Sequence, residues 1–184
     1  MSKRLRGRPK GSTGKAAILS SAQIKDVFRS AHRCGRYSDR AELVLALSIG
    51  LGLRAIELTS LRWADVYNSD GSVRQMILVN RAYTRKGKTR AIPVSAPKLR
   101  GLLANYRERQ LSLRPQDEQN PLFRSQRGGH MMAASMTRFV TELYRKAGIA
   151  DGSSRSGRRT LIASLVSVAK RMIAFKIAGF SQFS

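Results

Sequence analysis

Residues 50–66 have the sequence GLGLRAIELTSLRWADV, which places a single arginine, Arg54, between two apolar segments. The preceding segment, AELVLALSIGLG at 41–52, is apolar on almost every face and predicts a central helix. The following segment predicts a short helix over 55–62, with Glu57 in its first turn. An arginine at a helix end commonly lays its stem on apolar surface and pairs with a carboxylate one turn away. From these residues alone, Arg54 belongs either to such a structural pair or to a functional site.

Upstream of this stretch, apolar residues recur at helical spacing and predict a first helix from Ser20 to about Gly35. They are Ile24, Val27, Phe28 and Ala31. Asp39 is followed three residues later by Glu42, a pattern typical of a capping box, so the central helix is predicted to begin there.

Downstream, two runs rich in branched residues, QMILVNRAY and TRAIPVS, predict a β-hairpin with the basic turn RKGK at 85–88. Ser95 is predicted to cap a helix over 98–110, in which Tyr106 lies on the apolar side. A further amphipathic helix is predicted over 136–148, with Tyr144 on its apolar face, and residues 157–179 predict one or two final helices. The predicted class is α+β, mainly α, with one small antiparallel sheet and no internal repeat.

The 184 residues contain 35 Lys+Arg and 11 Asp+Glu, which gives a net charge of +24 and predicts a polyanionic partner. No apolar run is long enough to cross a membrane, and the basic N-terminus lacks the apolar core of a signal peptide. The single Cys34 excludes an intrachain disulfide, and one Cys with two His gives no zinc pattern. We therefore expect a cytoplasmic, nucleoid-associated protein that binds double-stranded DNA, with no cofactor, metal or small-molecule substrate.

Residues 1–19 are basic, contain no acid and cannot bury apolar surface, so they are predicted to form a disordered arm before a domain at 20–184. Within the arm, Arg6-Gly7-Arg8-Pro9 resembles the core of an AT-hook. Two arginines flanking a glycine suit the narrow, strongly negative minor groove of A·T-rich DNA. A basic tail that contacts only phosphates is an equally good interpretation.

The whole stretch 50–66 is similar to the first arginine box of the tyrosine recombinase (phage integrase) family, G-L-R-x-x-E-L followed by L-x-W-x-D-[IV]. The matching residues are Gly52, Leu53, Arg54, Glu57, Leu58, Leu61, Trp63, Asp65 and Val66. The family's later motifs follow in the same order. They are an R-x-[IV]-P-[LV] strand (Arg90, Ile92, Pro93, Val94), an A-G-[IV] helix end (Ala147, Gly148, Ile149), an H-x-x-R box (residues 155–158) and a G-H/W-S turn (Gly179, Phe180, Ser181).

The resemblance implies a catalytic domain in which two arginines and a histidine bind the scissile phosphate. A hairpin lysine protonates the leaving oxygen, and a tyrosine near the C-terminus attacks phosphorus. Arg54 and Arg158 match the two arginine positions, whereas Arg155 occupies the position of the box histidine and Phe180 that of the second histidine or tryptophan. The hairpin lysine is taken as Lys86, with Arg85 and Lys88 as alternatives. The wider set of predicted DNA-binding residues comprises Arg6, Arg8, Arg85, Lys88, Arg90, Arg155 and Arg159.

The family's nucleophilic tyrosine has no counterpart after Phe180, where four residues remain. The tyrosines of the chain are Tyr37, Tyr67, Tyr83, Tyr106 and Tyr144. The chain is therefore predicted to be a C-terminally truncated family member that binds DNA and is catalytically impaired as given. The alternatives are an active recombinase that uses a tyrosine from another protomer, and a basic architectural DNA-binding protein.

Overall fold

The structure is a computed structural model that describes residues 16–80, 82 and 89–180, with side chains as far as Met172. Its helices are α1 (Ser21–His32), α2 (Ser38–Gly50), α3 (Ala55–Ser60), α4 (Pro97–Leu113), α5 (Ala133–Lys146) and α6 (Ser156–Phe180). Two strands, β1 (Met76–Val79) and β2 (Arg90–Pro93), lie between α3 and α4. The predicted class, mainly helical with a small antiparallel sheet, is confirmed.

Helix α2 is the centre of the domain, as its uniformly apolar sequence predicts. It contacts α1, α3, α4, α5 and α6. Its side chains Leu43, Val44, Leu45 and Leu47 are all buried. Each such residue contributes roughly 1.5–3 kcal/mol of transfer free energy, so α2 is the element on which the other helices are assembled.

Helix α1 is capped at its predicted start, Ser20, whereas the capping of α2 differs from the prediction. Helix α1 has its capping box at Ser20 and Gln23, with reciprocal side-chain to backbone hydrogen bonds of 2.9 and 3.2 Å. The predicted capping box of α2 is wrong. A 3₁₀ turn leads directly into Ser38, so Asp39 already lies inside the first turn of α2 and its carboxylate accepts from Arg109.

The N-cap of α4 is also displaced from the prediction. Ala96, not Ser95, occupies the N-cap position, and Pro97 is the first helical residue. Proline suits that position because its φ is preset for a helix and its missing N–H would have no helical partner.

The two strands pair antiparallel, with Ile77 opposite Ile92 and Val79 opposite Arg90. Ile77 and Val79 are buried, whereas Met76 and Leu78 on the other face are exposed. Arg90 and Ile92 therefore share the inner face of the hairpin, because alternate residues of a strand point the same way. The tip of the hairpin, residues 83–88, lies outside the described residues.

Helix α6 is one continuous helix of 25 residues, where the sequence predicted one or two helices and a G-F-S turn. No glycine or proline occurs between Gly157 and Gly179 to interrupt it. Its first turn packs tightly on α2, since a Cβ at residue 157 would lie 2.5 Å from Ser48 Oγ. None of the helices in the described residues combines the length and apolar character needed to span a membrane.

Candidate phosphate-binding site

Arg54 immediately precedes α3 and is held by the carboxylate of Glu57 in the first turn of that helix. Glu57 Oε2 accepts from the Arg54 backbone N–H at 2.8 Å, and Oε1 accepts from Arg54 Nη1 at 3.2 Å. Glu57 is 1% exposed, whereas the Arg54 side chain is 35% exposed. The expected Arg54–Glu57 pair is confirmed, and the other side-chain N–H groups of Arg54 make no hydrogen bond to the described residues.

Arg90 is a second cation on the same carboxylate. Its Nη2 donates to Glu57 Oε2 at 3.1 Å, across 33 positions of the sequence. The resemblance alone predicts a DNA-binding role for Arg90. The alternation of β2, which places Arg90 beside the inward-facing Ile92, was the signal that could have indicated this inward contact.

Arg158, in the first turn of α6, is fixed by the break between α2 and α3. Its Nη1 donates to the carbonyl of Gly52 at 2.8 Å. Gly52 has φ +67°, and a Cβ there would lie 3.5 Å from Arg158 Cγ and 3.0 Å from Leu161 Cδ2. A glycine is therefore favoured at this position both by its backbone conformation and by the close approach of α6. The sequence holds no local signal for this anchor, because the two residues are 106 positions apart.

Arg54 and Arg158 line one concavity of about 760 Å³ together with Arg155 and Arg159. Ala16, Ser154 and Ile162 complete its lining, so no acidic residue contributes to this wall among the residues that the structure describes. Burial lowers the pKa of the Arg158 guanidinium below its usual value, and the charges of Arg54 and Arg90 lower it further, against the opposing effect of Glu57. A bound anion would relieve this repulsion, so the concavity has the electrostatics of a phosphate site.

The last residues of the predicted arm are not free in solvent. Leu19 is 5% exposed, and its N–H donates to Thr160 Oγ1 at 2.9 Å. The Ala16 carbonyl accepts from Arg159 Nη1. The 16–19 segment thus contacts α6, and Ala16 forms part of the wall of the concavity. The segment is apolar, Ala-Ala-Ile-Leu, so Leu19 can be buried, unlike the basic residues that precede residue 16.

Several predicted site residues fall outside the described part of the chain. These are Arg6, Arg8, Arg85, Lys86 and Lys88, together with the side chain of Phe180. The concavity therefore brings together Arg54, Arg155, Arg158 and Arg159 of the predicted set, and Arg90 lies behind it on Glu57.

Of the four tyrosines that the structure describes, Tyr67, Tyr106 and Tyr144 are buried in the core. The hydroxyl of Tyr67 donates to the Leu103 carbonyl at 2.9 Å, and that of Tyr106 donates to the Leu122 carbonyl at 3.0 Å. Burial raises the pKa of Tyr106 to about 12 and also raises the pKa of Tyr144. The prediction that Tyr106 and Tyr144 are core residues is confirmed. Neither contributes to the lining of the concavity.

Comparison with known proteins identifies the class. The model of the phage integrase family matches residues 17–173, most of the chain, and the chain therefore belongs to the phage integrase family. No match was found among curated proteins.

Solved structures agree with this assignment. The crystal structure of XerA recombinase is 25% identical with a TM-score of 0.62, over 86% of this chain and 52% of that one. XerH recombinase in a post-cleavage complex with palindromic difH is 19% identical with a TM-score of 0.65, over 88% of this chain and 46% of that one. The lambda integrase catalytic core is 15% identical with a TM-score of 0.59, over 80% and 81% of the two chains. The matches to XerH and to lambda integrase, at 19% and 15% identity, show the fold alone. The chain spans about half the length of XerA and of XerH.

Proposed function

We propose that this chain is a duplex-DNA-binding module of the tyrosine recombinase type, in which Arg54 and Arg158 hold one backbone phosphate. The observation that carries the proposal is the concavity lined by four arginines, with Glu57 buried behind it. Guanidinium groups suit this role because each donates two parallel hydrogen bonds to phosphate oxygens and stays charged at neutral pH. The setting matches the family's reaction, in which negative charge develops on those oxygens.

Double-stranded DNA is the ligand that the surface favours over a free anion. The four arginines of the concavity account for only a small part of the net charge of +24. The remaining positive charge suits a polymer of phosphates rather than a single anion. The similar XerH and lambda integrase chains have been crystallised with difH DNA and with a COC′ core site, the latter as a dimer. By analogy, other recombinase protomers are proposed partners of this chain on DNA. Lys86 is proposed as the hairpin lysine and the AT-hook-like Arg6–Pro9 as a minor-groove contact, and both remain predictions from sequence.

The phosphate site is tested by replacing Arg158 with glutamine. R158Q should weaken binding to a 20-base-pair duplex about tenfold at about 100 mM salt, because a charge-assisted contact contributes roughly 1.5–3 kcal/mol. Fluorescence anisotropy with a labelled duplex measures the change.

The matched control is R109Q. It also removes one arginine charge, but Arg109 lies away from the concavity and pairs with Asp39 in an exposed ion pair between α4 and α2. R109Q should bind within about twofold of the parent, since one distant charge contributes little at this salt concentration. Equal losses for the two variants would contradict a phosphate site at Arg158.

We further propose that the 184 residues by themselves form no covalent link to DNA. No tyrosine follows Tyr144, and Tyr67, Tyr106 and Tyr144 are buried. Arg155, at the box histidine position, cannot serve as a general base. The arginines alone would therefore bind a phosphate without activating water. Cleavage would then require a tyrosine from another polypeptide or another segment.

This proposal is checked with nicked suicide duplexes of randomised sequence, which remove dependence on an unknown target site. After denaturation, no protein–DNA adduct should remain, whereas a recombinase on its own suicide duplex gives one as a positive control. An adduct from this chain alone would refute the proposal, and peptide mapping would assign it to one of the five tyrosines.

A further inference from the structure

Arg90 has an unusual position relative to the phosphate site. Its side chain lies on the inner face of the hairpin and reaches Glu57, but it is not among the residues that line the concavity. It therefore contacts the carboxylate that holds Arg54 without contributing to the lining of the concavity. A residue in this position can influence the site only through Glu57 or through the general electrostatic field.

The two oxygens of Glu57 are used by different partners. Among the residues that the structure describes, Oε1 accepts only from Arg54 Nη1, at 3.2 Å, whereas Oε2 accepts from the Arg54 backbone N–H and from Arg90 Nη2. Within the described residues, Arg54 thus makes a single side-chain bond to Glu57 and not the two parallel bonds that arginine and a carboxylate prefer. Arg54 Nε and Nη2 are left out of the pair.

We propose that Arg90 is a positioning residue. By donating to Glu57 Oε2, it prevents the Arg54 side chain from forming two parallel hydrogen bonds to the Glu57 carboxylate. With Oε2 engaged, the free edge of the Arg54 guanidinium stays available to a phosphate in the concavity. Without Arg90, Arg54 would turn its fork toward the buried carboxylate and away from the anion. This inference rests on the proposed function, because it explains how Arg54 is kept ready for a phosphate.

The second consequence of the same contact concerns the hairpin. Arg90 opens β2 two residues after the 83–88 segment, and its bond to Glu57 ties the base of the hairpin to α3. The pair therefore couples the strand that follows Lys86 to the helix that Arg54 precedes.

A double-mutant cycle tests the positioning role, with duplex affinity measured by anisotropy at one salt concentration. R54Q should weaken binding about tenfold, and R90Q should also weaken it by about tenfold, because each removes the phosphate contact of Arg54. The double variant R54Q/R90Q should bind no more than about twofold more weakly than R54Q. An independent electrostatic or structural effect of Arg90 would instead multiply the two losses to about a hundredfold and would overturn the inference.

Arg90→Lys provides the rescue arm. A lysine Nζ can take the place of Arg90 Nη2 on Glu57 Oε2, so R90K should bind within about threefold of the parent, and a loss as large as that of R90Q would refute the role. If thermal melting shows that R90Q does not fold, R90K alone carries the test, and a loss of about tenfold in R90K would then refute the role. If R54Q leaves the affinity unchanged, the proposed phosphate site itself fails and this inference with it. If R54Q does weaken binding, but its loss multiplies with that of R90Q in the double variant, the phosphate site stands and only the inference about Arg90 fails.

Discussion

Raising the salt concentration from 50 to 200 mM should weaken binding of duplex DNA to this chain by about a thousandfold or more. The expectation follows from the 35 basic residues against 11 acidic ones, of which four arginines surround the concavity. Each phosphate that is neutralised releases condensed counterions, and six to ten such contacts cost about 10³ to 10⁵ in affinity over this interval. The loss should be similar for different duplex sequences, because phosphate contacts carry no sequence information.

An anisotropy titration at five or more salt concentrations measures this slope. Plotted as log K against log salt, the line should fall by roughly 0.9 for each phosphate contacted. Circular dichroism over the same range should stay constant, which separates loss of binding from loss of structure. A slope near zero would reject phosphate-dominated binding and, with it, the proposed DNA partner.

Replacement of Glu57 by glutamine should lower the free energy of unfolding by about 3 kcal/mol. Glu57 is 1% exposed and is the carboxylate partner of both Arg54 and Arg90. Glutamine retains an acceptor for the Arg54 backbone N–H, but it leaves the two guanidinium groups beside Arg158 without their counterion. The side chains of Arg54 and Arg90 are about one-third exposed, so solvent screening keeps the expected loss at the lower end of the range for a broken buried pair.

Urea denaturation of E57Q and of D39N separates this effect from an ordinary loss of charge. Asp39 also pairs with an arginine, but the Arg109 side chain is 64% exposed and that of Asp39 is 31% exposed. D39N should cost no more than about 1 kcal/mol, as exposed pairs do. The melting midpoint of E57Q should fall by about 10 °C, since 1 kcal/mol shifts a domain of this size by roughly 2–4 °C. Equal losses in the two variants would contradict the central role of Glu57.

Features that depend on neighbours within one or two turns were predictable from the sequence. The period of apolar residues located the helices, and the uniform apolarity of residues 41–52 identified the central one. Arg54 and Glu57 are three residues apart, so their pairing follows from helix geometry alone. The order of motifs from Gly52 to Phe180 indicated the family without any knowledge of packing.

Helix starts were less predictable, because more than one residue near each start can serve. Asp39 and Ser95 both suit a capping position, yet the 3₁₀ turn before Ser38 and the proline at residue 97 set the helix starts elsewhere. A short motif shows which residues are able to cap a helix. The path of the chain before the helix decides which residue occupies the N-cap position.

The site itself depended on tertiary structure. The Arg90–Glu57 bond joins residues 33 positions apart, and the Arg158–Gly52 bond joins residues 106 positions apart. Residues 16–19, an apolar Ala-Ala-Ile-Leu stretch that follows the basic segment, reach α6 across 141 positions through Leu19 and Thr160. The sequence by itself determined which elements form, because helix and strand periodicity arise from local backbone geometry. Only the packing of α6 and the hairpin against α2 and α3 decided which charged groups share a carboxylate or a carbonyl, because such contacts depend on how whole elements are oriented.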